Sequence, residues 1–333
     1  MNNRKLYPSK EIHIKEEFSP YVKYEKIKNG RKLYINIPHK YEIELKIYNL
    51  IPGITVIVDY SNLTDHFRTS DDILYYEHPE DTLLINFVSK GQLQYEIEPD
   101  KYMFVKENDI SMYIKKLNPK SFRYVGNVTL FHILINRTQI QKVFQEYNKE
   151  NMEIIDKLFE IAKKENCTIF KAQEKILQNA AEYKNYPLNK ELSSKLFFRL
   201  KAFESLVLLY EFEIEDEKNI RRTYSDAQIR VVRNIKNSLS RNIASYVSLD
   251  SLSMSYGINL TTLKNCFKDM YGKPLYTWYK EYKFNRAKEL IKNTDYPISK
   301  IAYMIGYKSS SKFAKAFKKE MGVLPSSYRK NKK

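Results

Sequence analysis

Ile298-Ser299-Lys300-Ile301-Ala302-Tyr303-Met304-Ile305-Gly306-Tyr307, followed by Phe313, Phe317-Lys318, Gly322 and Pro325, is the second copy of a pattern that starts at Leu249. The first copy reads Leu249-Asp250-Ser251-Leu252-Ser253-Met254-Ser255-Tyr256-Gly257-Ile258 and continues through Leu263, Phe267-Lys268, Gly272 and Pro274. The period is about fifty residues, within the range at which self-similarity marks repeated supersecondary units. Each copy begins with a short helix that carries a small residue, Ser253 or Ala302, where a second helix can approach closely. Four residues later Gly257 or Gly306 supplies the left-handed backbone that ends the helix and turns the chain. A second helix then starts behind a capping residue, Asn259 or Ser309. This is the grammar of two helix-turn-helix units in tandem.

In each second helix an apolar pair at i and i+4, Leu263 with Phe267 and Phe313 with Phe317, fixes the inward face, so the outward face follows from spacing. In the first unit that face offers Thr261, Lys264, Asn265 and Lys268; in the second it offers Ser310, Ser311, Lys315 and Lys318, with Lys308 and Lys312 beside them. Lys donates to guanine O6 and N7, Asn pairs with adenine through two hydrogen bonds, and Ser suits several base edges, while the remaining lysines suit phosphate. Between the units Leu275 to Lys292 contains no Pro or Gly and reads as one helix, with Tyr279, Phe284, Ala287, Leu290 and Ile291 apolar.

Charge sharpens this reading. The chain of 333 residues carries +17, but Lys, Asn, Ile and Tyr are abundant throughout, as an AT-rich coding sequence produces, so the total alone decides little. Residues 225–333 hold 22 Lys and Arg against 7 Asp and Glu, which leaves 35 against 33 for residues 1–224. A nearly neutral body joined to a strongly basic end is the electrostatic footprint of one domain that meets phosphates and one that does not.

These residues resemble the AraC/XylS regulators over about residues 226–331. The likeness is carried by Ile301-Ala302-Tyr303-Met304-Ile305-Gly306-Tyr307, Phe313-Ala314-Lys315-Ala316-Phe317-Lys318, Gly322, Pro325 and Tyr328-Arg329. Leu263-Lys264, Phe267-Lys268 and Tyr271-Gly272-Lys273-Pro274-Leu275 look most like the pyochelin-regulator branch. The resemblance implies base readout by Thr261, Lys264, Asn265, Ser310, Ser311 and Lys315, while Lys268, Lys308, Lys312 and Lys318 are assigned to phosphate by their charge and position. Gly257, Leu263, Phe267, Ala302, Gly306, Phe313, Phe317 and Pro325 would be the structural positions. It further implies an activator with an N-terminal effector or dimerisation domain, often a cupin-like barrel, and double-stranded DNA, RNA polymerase and a small-molecule effector as partners. Ser253 departs from the usual alanine, and no arginine stands at a reading position, so the operator sequence does not follow.

The rest of the chain fits an α+β fold. From about 41 to 135 apolar residues alternate, as in Ile43, Leu45 and Ile47, Val56 and Val58, Leu83, Ile85 and Phe87, and Leu93, Tyr95 and Ile97. Pro52-Gly53, Lys90-Gly91, Pro99-Asp100, Asn108-Asp109 and Gly126-Asn127 read as the turns of an antiparallel barrel or sandwich. The expected layout is a β-rich sensor domain over 1–136, a helical dimerisation region over 137–214, a charged linker over 215–224 and the DNA-binding domain over 225–333. Within 189–214, Leu196, Leu200, Phe203, Val207, Tyr210 and Ile214 form a heptad-like seam, and Leu206, Leu208 and Leu209 form a second apolar face. One face is expected on the helix's own domain and the other on a second copy; a fully internal helix would satisfy the same pattern.

An apolar fraction of 43 % with 14 % aromatics excludes a disordered chain, and no run approaches the length of a spanning helix, so a cytoplasmic protein away from membranes is expected. Cys167 and Cys266 alone support neither a disulfide framework nor a cysteine zinc site. His13, His39, His66, His78 and His132 include no His-x-His pair, and no phosphate loop or nucleophile motif appears, so neither enzymatic activity nor a metal or other cofactor is expected. Two alternatives stay open: a cupin-type metalloenzyme fused to a DNA-binding module, and a DNA binder that needs no effector.

Overall fold

The computed structural model describes residues 4–6, 12–27, 30–37, 41–63, 74–76, 79–114, 121–147, 150–164, 167–185, 191–212, 222–245 and 248–330. The chain divides into two compact units, 1–223 and 224–333.

The first unit holds a small sheet of β1 (Arg4–Leu6), β2 (Ile12–Lys15) and β7 (Leu74–Tyr76) and a large one. The large sheet comprises β3 (Val22–Ile27), β4 (Gly30–Ile37), β5 (Tyr41–Ile51), β6 (Ile54–Leu63), β8 (Thr82–Glu98), β9 (Lys101–Lys106), β10 (Asp109–Ile114), β11 (Ser121–Asn136) and β12 (Thr168–Lys171). Its order is β12-β10-β8-β11-β6-β5-β4-β3, with β9 also on β8, and every pairing is antiparallel. Two expected turns are bends instead. β8 runs through Lys90-Gly91 and changes partner from β10 to β9, while β11 runs through Gly126-Asn127 with its register shifted. The bends face each other: a Cβ on Gly91 would lie 2.3 Å from the Asn127 carbonyl oxygen. A glycine here signals close backbone approach, and a bulge absorbs the extra residues without ending the strand. Five strands, β1 to β4 and β12, lie outside the expected 41–135. Leu33, Ile35 and Ile37 alternate on β4, and the four-residue β12 interrupts the region read as helical.

Alternation sorts the large sheet into two buried faces. Ile54, Val56 and Val58, Leu83, Ile85 and Phe87, Ile110 and Met112, and Phe131, Ile133 and Ile135 share one core with four helices. These are α1 (Arg137–Tyr147), α2 (Glu150–Lys163), α3 (Glu174–Asn185) and α4 (Glu191–Tyr210). The helices after residue 137 thus belong to the sheet's own unit. The opposite face buries Leu33, Ile35, Leu45, Leu93, Val105, Leu130 and Leu134 together, with no residue of α1–α4 among them, so strands far apart in sheet order close on one another.

That inward face is not wholly apolar. Asp59 is fully buried, accepting from Ser61 Oγ at 2.6 Å and from the Tyr124 hydroxyl at 2.6 Å. His132 Nε2 lies 4.0 Å from Asp59 Oδ2, and its Nδ1 is 2.7 Å from Asn86 Oδ1. Asn86 Nδ2 in turn donates to the Tyr95 hydroxyl and to Ser111 Oγ, each at 3.1 Å. Seven side chains from β6, β8, β10 and β11 therefore form one buried polar chain, arranged so that its members supply one another's hydrogen bonds.

On α4, Phe198, Ala202, Leu206 and Leu209 are buried, and Phe198 stacks on Tyr48 with ring centroids 4.3 Å apart. Leu196, Leu200, Phe203 and Val207 on the other side are 55 %, 60 %, 36 % and 46 % exposed. Tyr210 departs from the seam: its hydroxyl donates to Glu153 at 3.0 Å and Lys157 sits over its ring, so α2 of the same unit engages it. Ile214 lies outside the described residues.

The second unit is all helical: α5 (Asp226–Arg241), α6 (Leu249–Tyr256), α7 (Leu260–Tyr271), α8 (Leu275–Asn293), α9 (Ile298–Met304), α10 (Ser310–Met321) and α11 (Pro325–Lys330). Tyr224, the last residue of the expected linker, is buried in this unit with its hydroxyl on Asp269 at 2.6 Å. α5 buries Ile229, Val232, Ile235 and Leu239 and packs on α6 and α7. Phe284, Ala287, Leu290 and Ile291 of α8 form the second core with Ile301, Ala302, Ile305, Phe313 and Phe317.

Candidate nucleic-acid interface

In the first repeat Ser248 caps α6 by accepting from the Ser251 N–H at 3.1 Å. Gly257, at φ +61°, ends it, and the Ile258 N–H reaches back to the Ser253 carbonyl at 3.1 Å. Ser253 Oγ donates to the Ile258 carbonyl at 2.6 Å, so the serine at this small-residue position ties the turn shut. Asn259 caps α7, its side-chain oxygen accepting from the N–H groups of Thr261 at 2.9 Å and Thr262 at 3.3 Å. Leu263, Cys266, Phe267 and Met270 point inward. Burial first, and Asp269 second, push the Cys266 thiol up to about 12, so it behaves as an apolar filler. Thr261, Lys264 and Lys268 are exposed, and Asn265 is half-buried beside them.

The second repeat is built alike. Ile301 and Ala302 are buried on α9, Gly306 turns at φ +89°, and the Tyr307 N–H bonds the Ala302 carbonyl at 2.9 Å. Ser309 Oγ caps α10 through the Lys312 N–H at 3.4 Å. Phe313 and Phe317 are fully buried, which leaves Ser310, Ser311, Lys312, Lys315 and Lys318 exposed along the outward face and Lys308 exposed just before it. Lys319 is exposed as well, and inward-pair spacing did not single it out. Pro325 is buried at the start of α11.

Charge in this unit is divided between internal and free cations. Asp226 pairs with Arg230, Glu281 with Lys273 at 2.5 Å, Glu289 with Arg286 at 2.7 Å and Glu320 with Lys280. Lys236 lies over the rings of Tyr271 and Trp278, and Lys283 over Tyr279; burial lowers the pKa of both amines. Lys300 covers Tyr296 and Lys292 faces Tyr328. Among the described residues, Lys264, Lys268, Lys308, Lys312, Lys315 and Lys318 form no ion pair. Four of the unit's seven acids are thus paired with cations away from the two outward faces, which keep their positive charge.

A family model described as a helix-turn-helix domain matches residues 252–331, which spans both repeats and the helix between them. The second unit is an AraC-type helix-turn-helix domain. Over 150 residues, 44 % of this chain, the sequence is 31 % identical to an uncharacterized HTH-type transcriptional regulator of Bacillus subtilis, YtdP. Over 131 residues, 39 % of the chain, it is 28 % identical to the HTH-type transcriptional regulator ExsA of Pseudomonas aeruginosa. The matched segments span 19 % and 46 % of those two relatives' lengths. The C-terminal domain of AraT, a response regulator from Geobacillus stearothermophilus, superposes on 30 % of this chain and 84 % of its own at 27 % identity, with a TM-score of 0.29.

Among the described residues no group of three or more His, Cys, Asp and Glu could hold a metal ion, and no helix is long and apolar enough to cross a membrane. His39, His66 and His78 lie outside the described residues.

The AraC-type domain's two turn glycines differ in what they tolerate. Nothing lies within 4 Å of a Cβ added to Gly257, whereas one on Gly306 would lie 2.4 Å from the Ala244 carbonyl oxygen. Gly257→Ala should therefore cost only the left-handed penalty, about 1–2 kcal/mol, and Gly306→Ala should cost clearly more, as read by chemical denaturation.

Proposed function

We propose that this chain is a sequence-specific DNA-binding transcription regulator, whose second unit reads an operator and whose first unit receives a signal. The observation that carries the reading is the pair of capped helices, α7 and α10, whose outward faces hold unpaired lysines among short polar side chains. Unpaired cations on the exposed face of a helix suit phosphate, and their salt-dependent attraction supplies most of the affinity. Lys264, Asn265 and Thr261 on one helix, and Ser310, Ser311 and Lys315 on the other, suit base edges in a major groove, with Lys268, Lys308, Lys312 and Lys318 on the backbone. The 19 residues of α8, at 1.5 Å each, span about 28 Å. Successive major-groove faces on one side of B-DNA lie about 34 Å apart, so engagement of both helices would bend the duplex toward the protein. Activation, with RNA polymerase as partner, is proposed from the family resemblance alone.

For the first unit we propose a cupin-like barrel that dimerises and senses a small molecule. The exposed stripe of Leu196, Leu200, Phe203 and Val207 repeats at four, three and four residues, the spacing of a two-helix seam, and supports a second copy as its occupant. The buried polar chain from Asp59 to Ser111 supports the sensing role, because a packed interior with convergent donors and acceptors can discriminate a polar guest.

Binding to random-sequence duplexes, followed by single-position substitution, tests the DNA reading. Lys315→Ala should cost about 1–3 kcal/mol and relax preference at one base position, and Lys318→Ala should weaken all sequences alike and lower the salt slope by about one. Equal weakening by Lys315→Ala on every sequence would make Lys315 a phosphate contact, and the absence of any DNA binding would refute the function. Sedimentation should show a dimer that Leu200→Glu converts to a monomer, and a metabolite that raises the melting temperature should lose its effect in Asp59→Asn. A native monomer at all concentrations, or stabilisation that Asp59→Asn leaves intact, would contradict these two roles.

A further inference from the structure

The loop that follows α5, residues 242–245, precedes the first repeat in sequence but is held by the second repeat and the helix between them. The Tyr279 hydroxyl of α8 lies 3.0 Å from the Ser245 carbonyl, 3.2 Å from that of Ile243 and 3.4 Å from that of Asn242. One turn on, the Tyr282 hydroxyl donates to the Ser240 carbonyl at 3.3 Å. Ile243 packs against the core that holds Phe284, Ile301, Ile305, Phe313 and Phe317. Ala244 presses its backbone on Gly306, leaving no space for a Cβ at the turn of the second repeat. At its other end the loop continues from α5, whose buried face packs on α6 and α7.

Resting on the DNA-reading role proposed above, we infer that residues 240–245 act as a key between the repeats, fixing the spacing and rotation of α10 relative to α7. The strut α8 holds the second repeat through Phe284, Ala287, Leu290 and Ile291, which leaves twist between the two ends of the helix as the freedom of one repeat relative to the other. The key removes that freedom for two physical reasons. Turning the second repeat would withdraw the partly buried Ile243 from its core, and it would strip the Tyr279 hydroxyl of its carbonyl partners in the loop, and both losses oppose the motion. Backbone against Gly306 also leaves no side chain that could change rotamer to absorb the motion. The domain therefore presents one geometry, and the mismatch between strut length and groove spacing falls on the duplex. Tyr279, Ile243 and Gly306 are positioning residues: they touch no base, yet they determine which arrangement of subsites is accepted.

The test uses the full chain and the duplex that it selects from a random-sequence library, remade with one base pair added or removed between the two subsites. Each base pair moves the second subsite by about 34° and 3.4 Å. The native chain should lose affinity tenfold or more on both altered duplexes. Ile243→Ser and Tyr279→Phe should flatten that profile to within threefold, whereas simple destabilisation would weaken all spacings in proportion. A native profile that is already flat, or variants that keep a steep one, would overturn the key. A second measurement needs no DNA. Spin labels at Ser255→Cys and Ser327→Cys, in labelled chain diluted with unlabelled chain, should give one narrow distance in the native background and a broad spread with Ile243→Ser. A broad native distribution would overturn the key even if the chain bound no duplex, an outcome that would separately refute the DNA reading.

Discussion

The second unit depends on where its reading helices put their buried pairs. Leu263 with Phe267, and Phe313 with Phe317, lie one turn apart on one side of their helices and are fully buried. Rotating either helix by a third of a turn would expose a large apolar side chain, at about 1.5–3 kcal/mol for each residue, and push lysines into the core. This one constraint fixes which side chains face outward. The caps at Asn259 and Ser309 set where each helix begins, and so the height of its first exposed polar residues above the turn.

Electrostatics then separates two kinds of cation on one basic unit. Lys236 and Lys283 lie over aromatic rings with their amines partly desolvated, and Lys273, Lys280, Arg230 and Arg286 are matched by carboxylates. These charges are already engaged within the domain. Among the described residues the lysines of α7 and α10 have no such partner, and exposed unpaired charge is the kind that a polyanion can attract without first breaking an internal contact. A net charge by itself would not have distinguished the two groups.

Much of this was legible in the sequence because local spacing encodes it. An i, i+4 apolar pair, a glycine four residues after a small residue and an uninterrupted stretch such as Leu275–Lys292 each report on neighbours within a few turns, and α8 spans Leu275–Asn293. What spacing could not give was contact between segments far apart in the chain. Asp59, Asn86, Ser111, Tyr124 and His132 meet only because β6, β8, β10 and β11 are neighbours, so His132 read singly looked like an isolated histidine. Lys90-Gly91 and Gly126-Asn127 read as turns because composition marks a bend without telling a bulge from a strand end. Tyr210 continued the heptad of α4, yet Glu153 and Lys157 claim it from another helix. The key at 240–245 has no period at all; its meaning comes from Gly306 and Tyr279, more than thirty residues away.

In the proposed complex α7 and α10 enter adjacent major grooves on one side of a duplex. Dimethyl sulfate protection of guanine N7, on a duplex selected by the isolated unit 224–333, measures this most directly. The account predicts two protected patches about one helical turn apart on the same face. A single patch, or two patches on opposite faces, would contradict it.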